Sequence, residues 1–141
     1  MSRMEVALAL LTDYANVTRE GKLNLLGLFN RINAPTLPWT HPQMQLALSF
    51  EASPAEYDTT KNVQIKLLDA DGNTKFAISS DLKVPREKSG RSVSINTIIA
   101  INNLRLDTEG DYAFHILIGG DDKKSIPLRV DYVPKPQPGP R

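Results

Sequence analysis

The segment Gln43-Met44-Gln45-Leu46-Ala47-Leu48-Ser49-Phe50 constrains this chain most. Met44, Leu46, Leu48 and Phe50 recur at every second position and are separated by Gln43, Gln45, Ala47 and Ser49. A strand sends successive side chains to opposite faces, whereas a helix returns to one face only every three or four residues. Alternation of this kind therefore reads as a half-buried β-strand. The same period runs through Val63, Ile65 and Leu67, through Val93, Ile95, Thr97 and Ile99, and through Tyr112, Phe114, Ile116 and Ile118. Ile126, Leu128, Val130 and Tyr132 close the series. No segment keeps a 3.6-residue stripe for three turns, and the best helix candidate is a turn or two near Leu104 to Glu109.

Turn residues divide the alternating runs. Arg19-Glu20-Gly21-Lys22, Asp69-Ala70-Asp71-Gly72-Asn73 and Gly119-Gly120-Asp121-Asp122 each fall between two of them, as hairpin loops do. Pro35, Pro38 and Pro42 make the segment from Ala34 to Pro42 irregular, because proline cannot donate to a sheet ladder. About eight strands result, near 4–12, 22–33, 43–52, 61–69, 74–83, 92–102, 111–119 and 125–133. Short strands at this spacing predict an all-β fold, an immunoglobulin-like antiparallel β-sandwich. The run from Leu104 to Phe114 resembles the tyrosine corner of such domains, with Tyr112 placed to bond backbone upstream. Residues 1–133 are expected to form one domain, and 134–141, with proline at every second position, an extended tail.

The totals exclude several function classes. Seventeen basic side chains stand against sixteen acidic ones, a net charge of +1, so no basic excess of the kind common in nucleic-acid binders is visible. The chain has no cysteine, which removes disulfides, thiolate metal sites and a cysteine nucleophile together. The apolar run around Val6 to Leu11 ends at Thr12-Asp13 without a cleavage site and reads as a strand. No stretch reaches the roughly 18 apolar residues of a spanning helix. These features predict a cytoplasmic protein without a membrane or nucleic-acid partner.

Two stretches carry a family resemblance. Thr12-Asp13-Tyr14-Ala15-Asn16-Val17-Thr18-Arg19-Glu20-Gly21-Lys22-Leu23-Asn24-Leu25-Leu26-Gly27-Leu28-Phe29-Asn30-Arg31-Ile32 is one, and Leu37-Pro38-Trp39-Thr40-His41-Pro42-Gln43-Met44 is the other. Together they resemble a widespread bacterial family of small stand-alone proteins classed as a domain of unknown function. The resemblance runs from Glu5 to about Val133 and takes in Tyr112 to Ile118 and Ile126 to Val130. It implies no activity, cofactor or site residue.

Chemistry-bearing motifs are scarce. His41 lies among prolines beside Trp39, and His115 sits within a strand between Phe114 and Ile116; neither has a second histidine at metal-ligand spacing. Asp69-x-Asp71-x-Asn73 lacks the glycine and glutamate that a calcium loop needs, where Thr74 and Ser80 stand instead. No nucleophile elbow, phosphate loop or dinucleotide fingerprint is present. The chain is accordingly expected to be no enzyme and to need no cofactor or metal. Lys83, Arg86, Lys88 and Arg91 surround Gly90, as a solvated loop or as an anion site. Asp13, Tyr14 and Asn16 precede the Gly21 turn in a polar loop, and Trp39 with His41 occupies the proline-rich segment. These five residues form the candidate interaction surface. The leading expectation is a non-enzymatic protein-interaction module that binds a protein partner or associates with itself. The alternatives are a small-ligand or carbohydrate-binding domain, or a structural subunit of a larger assembly.

Overall fold

Nine strands follow one another in the computed structural model, which describes residues 4–135. They are β1 (Glu5–Val17), β2 (Leu23–Phe29), β3 (Arg31–Ala34), β4 (Trp39–Ala52), β5 (Thr60–Leu68), β6 (Thr74–Lys83), β7 (Val93–Leu106), β8 (Gly110–Ile118) and β9 (Asp121–Tyr132). They form two sheets, ordered β2-β1-β4-β7 and β3-β9-β8-β5-β6. Every pairing is antiparallel except β3 with β9, which is parallel.

The alternation in the sequence becomes the interior. Met44, Leu46, Leu48 and Phe50 of β4 are fully buried, as are Phe114, Ile116 and Ile118 of β8 and Ile65 and Leu67 of β5. These side chains from both sheets join in one hydrophobic cluster. Burying each large apolar side chain contributes about 1.5–3 kcal/mol, so the facing rows are what hold the two layers together. Tyr112 adds a polar fastening, its hydroxyl donating to the Thr108 carbonyl at 2.6 Å across the turn between β7 and β8. That is the bond expected of a tyrosine corner.

Four expectations need correction. The run 22–33, read as one strand, is two, because the chain passes from one sheet to the other at Asn30, between β2 and β3. Local sequence across Asn30 is blind to which sheet receives each half. The first strand extends to Val17, so Asp13, Tyr14 and Asn16 lie on a strand and the polar loop is confined to the turn beyond it. Trp39 and His41 also lie on a strand, β4, which tolerates Pro42 because that stretch pairs on one side only, with β7. The segment Leu104 to Glu109 holds no helix: its first half ends β7, which pairs with β4 as far as Leu106↔Trp39. The only helical turn among the described residues is a 3-10 turn at Pro54–Glu56. Most of the predicted tail, 136–141, lies outside the described residues.

Candidate functional site

β1 and β4 run side by side from Glu5↔Glu51 to Thr12↔Gln45 and then separate. Beyond that point β1 stays with β2, while β4 from Trp39 to Gln43 keeps only β7. A cleft of about 200 Å³ opens where they part, lined by Asp13, Phe29, Arg31, Ile32, Asn33, Trp39 and His41. The Trp39 indole N–H donates to His41 Nδ1 at 3.3 Å. The His41 ring in turn leans on Phe29, with ring centroids 6.2 Å apart and planes at 46°. The three aromatic rings therefore hold one another.

Burial holds the His41 pKa below its ordinary value, although the Asp13 carboxylate and a hydrogen bond with the Gln43 backbone pull the other way. A neutral imidazole is what the indole requires, since Nδ1 must accept its proton. The same bond occupies the lone pair that a general base would use. Asp13 is positioned by Gly27, which stands opposite it on β2 with a φ of +78°. A Cβ on Gly27 would lie 2.5 Å from Asp13 Oδ2. The Asp13 oxygens accept no hydrogen bond from the described residues. Arg31, at the other wall, pairs with Asp131 at 3.2 Å.

The cleft thus unites three of the five candidate residues, Asp13, Trp39 and His41. Tyr14 and Asn16 do not join it. Tyr14 pairs with Leu26 and is 51% exposed, and Asn16 accepts a bond from the Asn24 side chain at 3.0 Å. Phe29 and Arg31 were not singled out from the sequence, where they read as ordinary strand residues.

The opposite end of β4 carries the basic loop that joins β6 to β7. Its shape comes from the segment after the 3-10 turn. Asp58 N–H donates to the Val84 carbonyl and Val84 N–H to the Thr59 carbonyl, both at 2.9 Å. Arg86 is fixed twice, by Asp58 Oδ2 at 2.7 Å and by the Tyr57 ring, 5.6 Å from its guanidinium carbon. The Tyr57 hydroxyl donates to the Arg91 carbonyl. Lys83, Lys88 and Arg91 are exposed and have no ion-pair partner among the described residues. Tyr57 and Asp58, which fix the loop, lie far from it in sequence and carried no signal of their own.

Beneath this segment lies Glu56, which is buried. Its Oε1 accepts from the Ser53 N–H at 3.2 Å and its Oε2 meets the Lys61 ammonium at 3.0 Å. Burial alone would raise its pKa, but the bonds to Lys61 and Ser53 outweigh that and hold it below the ordinary carboxyl value. No group of three or more potential metal ligands exists among the described residues. At the Asp69 turn the carboxylate is taken up by the Asp71 and Asn73 N–H groups at 3.0 and 2.8 Å. His115 faces outward and pairs with Asp122 at 2.7 Å. No helix among the described residues is long and apolar enough to cross a membrane.

No curated protein matches the sequence. Among solved structures, the chain is similar to Pseudomonas fluorescens alkylpurine DNA glycosylase AlkC bound to DNA containing an abasic site analog. The TM-score is 0.52 at 14% identity, over 92% of this chain and 31% of that protein, so the likeness is one of fold and spans about a third of the larger chain. It corrects two expectations, the protein-interaction module and the exclusion of nucleic acid. The exclusion rested on a net charge of +1, which averages over the whole chain and does not register a local cluster such as Lys83, Lys88 and Arg91. Residues 7–131 match the family described as "Family of unknown function (DUF6941)", and the chain belongs to that family.

Proposed function

We propose that this chain is a non-enzymatic nucleic-acid-binding domain that contacts the sugar-phosphate backbone through the loop from Lys83 to Arg91. The observation that carries the reading is the set of three exposed cations without ion-pair partners among the described residues, Lys83 at the end of β6 and Lys88 and Arg91 on the loop that follows it, which Tyr57 and Asp58 fix. A fixed loop presents its charges without first having to be ordered, which favours binding. Phosphate contacts of this kind position a protein on nucleic acid without reading its sequence. The DNA-bound relative in fold supports the same class of partner. An immunoglobulin-like sandwich is the finer architecture that goes with it, supported by the Tyr112 corner and by loops gathered at the two ends of the sheets. Residues 1–133 act as one unit in this reading, in a bacterial cytoplasm.

The test is binding of a labelled 20-base-pair duplex, followed by anisotropy between 50 and 200 mM salt. Three phosphate contacts give a slope of about −2.7 for log affinity against log salt. The variant K83Q/K88Q/R91Q should flatten that slope and lose most of the affinity. Absence of salt-dependent binding by the wild type, or equal binding by the variant, would overturn the proposal.

A further inference from the structure

The aromatic cleft at the other end of β4 plays no part in the loop's chemistry, yet its walls are built. Trp39, His41 and Phe29 hold one another, and Asp13 lies over a glycine that leaves room for its carboxylate. The result is an open recess with aromatic walls at Trp39, His41 and Phe29, which Arg31 and Asn33 also line, and with one unengaged acceptor pair at Asp13. Its volume, about 200 Å³, is below the roughly 300–1,000 Å³ of drug-sized ligand sites, so it suits a single ring system.

We propose that this cleft takes one unpaired nucleobase of a single strand, lying against Trp39 and Phe29 with its N–H groups donated to Asp13. The inference rests on the nucleic-acid reading above. Aromatic side chains give a base a stacking surface, and a carboxylate can only accept, so it selects the edges that carry N–H donors. Those edges are free only when the base is unpaired. Guanine has adjacent N–H donors on its pairing edge and matches two carboxylate oxygens, whereas thymine has one donor there. β4 spans about 45 Å between cleft and loop at ~3.3 Å per residue, and a 20-nucleotide strand reaches about 68 Å at ~3.4 Å each. One such strand can reach both ends.

Trp39 is the only tryptophan and reports the cleft directly by its fluorescence. The probes are a 20-nucleotide thymidine strand with one guanosine about five residues from an end, which leaves about 50 Å of strand at ~3.4 Å each to reach the loop, the all-thymidine strand, and the guanosine strand paired to its complement. The guanosine strand should quench Trp39 and bind at least fivefold tighter than the all-thymidine strand, while the duplex binds without quenching. Asp13→Asn should remove about tenfold of the guanosine strand's affinity and leave the duplex unchanged. Phe29→Leu, read in the same titration, should weaken quenching if Asp13→Asn does not fold. Duplex binding with the expected salt slope but no quenching by the guanosine strand overturns this inference and leaves the loop reading intact. Equal affinity for both strands, or none lost in Asp13→Asn, overturns it as well. No binding of any probe overturns both.

Discussion

The two ends of β4 present recognition surfaces built on different principles. At the Trp39 end, side chains on strands position one another: indole to imidazole, imidazole to phenyl ring, glycine to carboxylate. At the Ala52 end, a loop without regular structure is held through its backbone and one arginine, and its other charges point into solvent. The contrast follows from what each surface would bind. A phosphate needs only a cation at the right distance, which a tethered loop provides. A flat heterocycle needs walls at fixed angles, which strands provide better than loops.

The largest expected effect breaks the platform under the loop. In Lys61→Met the Glu56 carboxylate would lose the cation it meets at 3.0 Å, and a hydrogen bond to a charged group is worth about 1.5–3 kcal/mol. Urea unfolding of the variant should show that loss, and duplex affinity of the folded fraction should fall because Tyr57 and Asp58 shift. Unchanged stability would mean that the pair does not anchor this end.

Gly27→Ala addresses the cleft alone. A Cβ there meets Asp13 Oδ2, and the backbone is in the left-handed region, so about 1–3 kcal/mol of stability should be lost. Trp39 fluorescence should change as the carboxylate is displaced, with duplex binding at the far loop retained. Loss of both together would show that the ends are coupled.

Acid should separate the ends with the smallest perturbation. The folded chain holds His41 below its ordinary value of 6.5, so the unfolded chain binds that proton more readily. The contribution of His41 to stability is therefore complete above pH 6.5 and is lost as the pH falls through the lowered value. Protonation also gives Nδ1 a hydrogen, and the indole loses its acceptor. Glu56 is likewise held below its ordinary 4.5, so its contribution is complete above pH 4.5 and is lost as the pH falls through its own lowered value. A pH titration should thus move Trp39 fluorescence first, while duplex anisotropy at constant ionic strength holds until the carboxyl range. Simultaneous loss of both signals would contradict the independence of the two ends.

Much of the fold was legible because alternation is a local property of extended backbone. Met44 to Phe50, Val63 to Leu67 and Tyr112 to Ile118 declared both their strands and their buried faces, and Asp69 and Gly119 marked their turns. The candidate site was legible only in part. Asp13, Trp39 and His41 stood out as polar or aromatic residues near turn signals, but so did Tyr14 and Asn16, which point elsewhere. The basic loop was visible as a cluster of charges, and the aromatic ring and carboxylate that fix it were not.

Local alternation was therefore enough for most of the strands and their inner faces, and composition for the lack of cysteine. Long-range packing set where the chain changes sheets at Asn30, where β1 leaves β4 after Thr12, and that Phe29 and Arg31 line the gap between them. It also decided that Tyr57 comes under Arg86. The reason is physical: side-chain alternation follows from the geometry of a single strand, whereas sheet membership and register depend on which distant segments bury the most surface together, and a period of two says nothing about the partner.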